Sequence, residues 1–319
     1  KIAFFMPSGD GPCRFGQYNV SHRIMLEKLG FGGVSVYSPQ QNSEFYRDLN
    51  IAGGEFSLKA WQGIVSYGLL TKLLHQTRPY EKNKGETDEL YEKYLIKIYE
   101  AVKSKNGNFE NLLRNMKEDF ESISKYKDKK PLIGIVGEIF VRSHSFSNEN
   151  LIRKLEALGA EVYLTPIEEW LHYVNTLALR KALRKKDRSA IIKISFNKFF
   201  QWKVEKTFSS PFKGFLKHLH EPSLKELFRL AAPYVPDSFE GETVLSVGKS
   251  VDLIKRGVSG IINTMPFGCM PGAIVTAFLR FIQKDYNISV ASLAFDGLNS
   301  TVNELWLEAF METIKKEVK

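Results

Sequence analysis

The sequence predicts an α/β protein built as two Rossmann-like domains, each with a short parallel sheet and helical insertions. Three observations predict it. Apolar runs of strand length alternate with amphipathic stretches of helix length, the pattern of a parallel sheet with crossover helices. Two of those runs, at residues 2–6 and 260–265, each lead into a Gly/Pro-rich turn and then a helix. A chain of 319 residues with 43% hydrophobic and 25% charged side chains is long and apolar enough for about two packed domains. That balance excludes disordered, collagenous and disulfide-framed classes.

Taken in order, residues 2–6 read as a buried strand closed by Pro7. Residues 17–29 are amphipathic, with Ile24, Met25 and Leu29 on the inner face, and Gly30 stops the helix. Residues 34–37 form a second short strand. Residues 56–76 are mostly helical. Tyr91, Tyr94, Leu95, Ile98 and Val102 keep helical spacing, as do Phe109, Leu112, Leu113, Met116 and Phe120. The polar stretch 126–130 divides a first domain, 1–127, from a second, 128–319. The first shows only two strands and reads as incomplete. With no initiating Met and an opening inside a strand, the chain reads as a piece of a longer parent.

The second domain has strands at 132–136, 161–164, 260–265 and 288–295. Its helices fall at 151–158, closed by Gly159, and at 224–231, 244–254, 273–283 and 302–318. Residues 168–206 are a long, mostly helical insertion. Forty-five Lys and Arg against 36 Asp and Glu leave a net charge of +9, and residues 180–206 alone carry ten basic side chains against Asp187 and Glu205. The rest of the chain is nearly neutral, so no nucleic-acid coat is expected and at most one basic face. Ile191, Ile192, Phe196, Phe199, Phe200 and Trp202 are interleaved with those charges and predict which side of the helix is buried.

No apolar run approaches the roughly 18 to 20 residues of a membrane span, and no signal peptide opens the chain. No membrane partner is therefore expected. The two cysteines, Cys13 and Cys269, are too few for a disulfide framework and fit a reducing interior, so a cytoplasmic location is expected. Both sit in a repeated setting. The first strand runs into Met6-Pro7, Gly9, Gly11 and Cys13; the strand at 260 runs into Met265-Pro266, Gly268 and Cys269; a helix follows each time. Loops after parallel strands are where open α/β sheets bind ligands. Backbone N–H groups at a helix start, with Arg14, would favour a thiolate, and soft thiolates select iron–sulfur clusters, zinc or copper. Two cysteines cannot complete a four-thiolate site. The plain reading is two separate buried thiols.

Weaker candidates follow. Glu138 and Arg142 lie beyond a strand end, with His144 two residues on, and could act as acid/base or positioning groups or form an ion pair at a loop edge. Asp296 precedes Gly297 and Asp10 lies near Cys13; each reads first as a turn residue. His172, His218 and His220 have no metal-ligand spacing to either cysteine. The sequence has no G-x-x-x-x-G-K-[ST] loop for ATP, no G-x-G-x-x-G fingerprint, no H-E-x-x-H and no G-x-S-x-G.

The segments Gly11-Pro-Cys-Arg-Phe-Gly-Gln-Tyr18 and Pro266-Phe-Gly-Cys-Met-Pro-Gly272 resemble signature segments of the 2-hydroxyacyl-CoA dehydratase and benzoyl-CoA reductase superfamily. Within it, the similarity is to the large CoA-substrate-specific enzyme activases and their double-cubane relatives. Val136-Gly-Glu-Ile-Phe-Val-Arg142 and Phe295-Asp-Gly297 are similar to the same branch. The resemblance implies an iron–sulfur cluster, 4Fe-4S or double cubane, between Rossmann-like domains. Cys13 and Cys269 would be two of three cysteine ligands, with Arg14 beside them and the third ligand upstream of the chain. The cluster is then expected to be absent or incomplete in this piece. It further implies an ATP-hydrolysing iron–sulfur activator as partner, a CoA thioester or other small substrate, and an assembly that could be a homodimer. Trp306 stands where the resemblance leads one to expect an arginine. The basic insertion would then either be a solvated face or meet CoA phosphates or an acidic partner. The competing class is a non-catalytic scaffold whose cysteines form a zinc or redox-sensing pair. On the first reading, the two cysteines should lie close together across a cleft, although 255 residues separate them.

Overall fold

The computed structural model describes residues 2–9, 13–39, 55–104, 107–298 and 301–317. The chain is mixed α/β, and both of its sheets are parallel. The first unit is strand β1 (Ala3–Phe5), a 3-10 turn (Arg14–Gln17), helix α1 (Tyr18–Lys28) and strand β2 (Ser35–Tyr37). β1 and β2 pair in parallel, Phe4 opposite Val36. Its packing differs from the expectation. Phe4 and Phe5 of β1 are about half exposed, and Ile24, Met25 and Leu29 of α1 face solvent. The physical reason is that a two-stranded ribbon and one helix cannot cover both of their apolar faces.

Helices α2 (Phe56–Thr77), α3 (Glu86–Lys103) and α4 (Phe109–Ser122) follow. α3 begins with Glu86, Asp88 and Glu89, which favour the positive end of its dipole. α4 is capped by the Asn108 side chain, which accepts from the Asn111 N–H at 3.1 Å.

The larger sheet comprises β3 (Leu132–Gly137), β4 (Glu161–Leu164), β5 (Gly260–Pro266) and β6 (Ser289–Phe295), in the order β4-β3-β5-β6. Between β3 and β4 lie the short α5 (Ile139–Ser143) and α6 (Leu151–Ala157). Between β4 and β5 lie α7 (Ile167–Arg184), α8 (Arg188–Ser209), α9 (Leu224–Ala231) and α10 (Gly241–Lys255). Helix α11 (Met270–Tyr286) joins β5 to β6, and α12 (Thr301–Glu317) follows β6. The unit β5-α11-β6 thus repeats the plan of β1-α1-β2, with a cysteine after the first strand of each. The insertion breaks at Lys186, which turns with φ 54°, and restarts where the Asp187 carboxylate accepts from the Ala190 N–H at 3.0 Å.

Three apolar cores result. One face of the large sheet packs on α9, α10 and α11 through Leu227, Val247, Val251 and Leu279. The other packs on α6 and α12 through Leu151, Leu155, Phe310 and Ile314. The third core is built from helices: Leu70, Leu73, Leu113, Met116 and Phe120 meet Val204 and Phe208 of α8 and Phe212 and Leu216 just beyond it. It therefore draws on both sides of position 127/128. Each such side chain stabilises by about 1.5–3 kcal/mol relative to exposure.

The insertion corrects a second expectation. α8 buries Val204 and Phe208, but Ile192, Phe196, Phe199 and Trp202 are 70, 67, 59 and 51% exposed. The apolar residues therefore lie on two faces of one helix, and only one face reaches the core.

Candidate functional site

The two cysteine loops meet. Cys13 starts the 3-10 turn with extended backbone (φ −68°, ψ 133°), and Cys269 sits just before α11 with φ −69° and ψ 116°. Arg14 joins them: its guanidinium donates to the Phe267 carbonyl on the other loop. The same guanidinium lies over Gly268, where an added Cβ would be 3.6 Å from its Nη1. Gly268 has φ +69°, a conformation costly for other residues. On the first loop, an added Cβ at Gly16 would meet the Gly9 carbonyl at 2.7 Å, so glycine is needed for that close approach. The Gly16 carbonyl accepts from the Ser8 hydroxyl at 3.2 Å, which ties the turn to the end of β1.

Cys13 is exposed and Cys269 half-buried, and both are free thiols. They are near enough to act on each other electrostatically. The Cys269 thiol is pushed above its usual range, first by burial and then by the carboxylates of Glu242 and Glu138 and by Cys13, against the Gly272 N–H. This corrects the expectation of a thiolate favoured by the helix start: at Cys269, burial and neighbouring negative charge outweigh the donors. The Tyr18 hydroxyl belongs to the same group. Burial raises it most, and it also feels Arg14, Glu138, Cys13 and Cys269.

Glu138 and Arg142 are close to the cleft but are engaged in the fold. Glu138 caps α5, accepting from the N–H groups of Phe140 at 3.2 Å and Val141 at 2.7 Å. Arg142 is buried, with its Nη1 donating to the Gly137 carbonyl at 2.8 Å and its Nη2 to the Pro166 carbonyl at 3.4 Å. It ties the ends of β3 and β4 together and does not project into the cleft. His144 stacks on Phe140 at 4.7 Å between ring centroids. Asp296 caps its own turn, accepting from the Leu298 N–H at 2.9 Å. Asp10 lies outside the described residues, as do Gly11 and Pro12 of the first cysteine segment. His172 pairs with Glu205 at 2.6 Å, and His218 packs edge-on against Tyr163. Trp306 is exposed.

One member of the site is not apparent from sequence motifs. Glu242, in the first turn of α10, accepts from the Ile139 N–H at 3.0 Å. Burial, then the charge of Glu138, pushes its carboxyl up to about 7. It therefore titrates close to neutral pH, within electrostatic reach of Cys269.

The donor set tests which metal groups fit. The two thiols lie on loops joined by Arg14 and are the chain's two cysteines, so the chain itself supplies at most two thiolate ligands. Among the described residues no group of three His, Cys, Asp or Glu side chains is placed to hold a metal ion. Among them, too, no helix is long and apolar enough to cross a membrane. No family model matches the chain, and no curated sequence is similar to it.

Proposed function

We propose that the chain is the iron–sulfur-binding part of an ATP-activated, low-potential reductase or 2-hydroxyacyl-CoA dehydratase-like enzyme, as its cysteine segments imply by resemblance. Cys13 and Cys269 would hold the cluster, 4Fe-4S or double cubane, with a further ligand from outside the described residues. The observation that carries this reading is the meeting of two cysteine loops separated by 255 residues, clamped by Arg14. When bound, the cluster supplies single low-potential electrons to a small substrate such as a CoA thioester. The chain's own residues fix the loops through Arg14, brace the strand ends through Arg142, and place the Glu242 carboxyl, which titrates near neutral pH, within electrostatic reach of Cys269. The two strand–loop–helix units act as Rossmann-like halves. The partner is an ATP-hydrolysing iron–sulfur activator in a reducing cytoplasm, with a homodimer as the assembly and no nucleic-acid ligand.

The test is anaerobic reconstitution with iron, sulfide and a small thiol to complete the ligand set, read by iron content and by EPR after reduction. The expected result is a cluster that needs the added thiol and is lost in both Cys13→Ser and Cys269→Ser. Iron uptake by either serine variant equal to that of the wild type, or none by the wild type, would sink it. Zinc uptake without iron, or a Cys13–Cys269 disulfide as the sole product, would favour the scaffold reading.

A further inference from the structure

A second concave site lies away from the cysteines, between α2 and the carboxyl end of β4. It is a cavity of about 100 Å³, walled largely by apolar side chains, among them Val162, Leu164, Ile167 and Leu216. Two polar groups on its wall are sealed from solvent and have no hydrogen-bond partner in the protein: Oε2 of Glu168 and Oγ1 of Thr71. The carboxylate occupies space cleared by a glycine. A Cβ at Gly68 would lie 1.9 Å from Glu168 Oε1, so any other residue there would displace it.

The cations around this carboxyl make their hydrogen bonds elsewhere. Lys72 of α2 donates to Glu221 Oε1 at 2.5 Å and to the carbonyls of His218 and Leu219. Arg142 of α5 gives both terminal nitrogens to strand-end carbonyls, and its Nε, without a partner, makes no hydrogen bond to Glu168. His75 of α2 faces Glu156, and burial lowers its affinity for a proton. Glu221, in the loop before α9, and Glu205 of α8 add negative charge. Glu168 is thus a surplus acid in a mostly apolar chamber, next to one unused hydroxyl. A buried carboxyl with one oxygen unpaired is costly, and an ammonium head would supply the charge and the donor that this oxygen lacks. A short alkyl tail suits the remaining wall.

We propose that this cavity is a binding site for a small primary alkylamine in its ammonium form, held by Glu168 and Thr71 with its tail against Val162, Leu164 and Leu216. The site does not rest on the iron–sulfur reading and stands or falls separately from it. Burial pushes the Glu168 carboxyl up to about 7, so binding should strengthen as it ionises. That predicts a roughly tenfold rise in affinity from pH 6 to pH 8.

The experiment is ligand-observed NMR titration of the whole chain with propylammonium, with 1-propanol and propionate as neutral and anionic counterparts. Propylammonium should bind saturably. Glu168→Gln should weaken it at least tenfold and Thr71→Val by a few fold, and neither counterpart should compete. If Glu168→Gln fails to fold, Thr71→Val and the pH dependence carry the test. Equal binding of 1-propanol, a pH-independent affinity, unchanged binding by the variants, or no saturation at tens of millimolar would each overturn the proposal.

Discussion

At the scale of single residues, the joined loops set two thiols in different surroundings. Cys13 is exposed, whereas Cys269 is half-buried beside Glu242 and Glu138, which hold its proton on. Iodoacetamide at pH 8 should therefore alkylate Cys13 faster than Cys269, because Cys13 is exposed and burial disfavours the reacting thiolate of Cys269. Glu242→Gln removes one of the carboxylates and should speed Cys269 alone. Peptide mass spectrometry over a time course checks both, and equal rates at the two cysteines would contradict the assigned surroundings. By the same logic, metal uptake must release a proton from Cys269 and should strengthen as pH rises. The cysteines were legible in the sequence because Gly and Pro mark their loops. Glu242 was not: it lies 27 residues before Cys269 in a polar helix start. Only the topology brings it against Glu138 and the α5 backbone.

At the scale of elements, helix periodicity located α8 but not its buried side. Ile192 and Phe196 obey the same spacing as Phe208, yet only Phe208 enters the helical core. Spacing records that a stripe is apolar; which stripe meets a neighbour depends on where α2 and α4 lie. Phe196→Ser or Ile192→Ser should then shift stability by no more than about 0.5 kcal/mol, as for exposed sites. Phe208→Ala should cost about 3–5 kcal/mol through lost burial and a cavity. Urea denaturation separates the two; a large loss in Phe196→Ser would mean that the face is covered in solution. The first unit teaches a similar lesson. The strands and helix around Cys13 form where the pattern put them, but burial needs a wider sheet than β1 and β2 make.

At the scale of the whole molecule, the parallel sheet and its crossover helices were readable from strand-length runs, whereas the buried charges were not. Lys249 is fully buried in the middle of α10, among Val247 and Val251, and pairs with Glu169 at 3.0 Å and with Glu221. Nothing local announces such a lysine, since its partners come from other elements. The buried acids give stability a definite pH dependence. Glu221 is held well below the usual carboxylate range, so its contribution is present at neutral pH and lost only in acid. Glu168 and Glu242 are raised to about 7, so the folded state binds their protons more tightly than the unfolded chain. Their effect has the opposite sign: full stability below about pH 4.5, falling as pH rises to about 7. A Glu168→Gln/Glu242→Gln variant should therefore gain on the wild type over that interval, by on the order of 5 kcal/mol for the two groups together. His75 pulls the other way, because its pKa is lowered, but equally in both proteins. Chemical denaturation at pH 5, 6, 7 and 8 measures the difference, and a gap that stays constant with pH would contradict the assignment.

The helical core also imposes a timetable. Its first half ends at Ile123, and its second half starts at Val204, 81 positions later. A ribosome adding about 5–20 residues per second needs roughly 4–16 s to cover that interval. Throughout it, α2 and α4 have been made while Val204, Phe208 and Phe212, which complete their core, have not. The sheet strands β3 and β4 and most of the basic insertion emerge during this wait. The nascent chain thus carries α2, with Leu69, Leu70 and Leu73, without the second half of its core while β3 and β4 are being made.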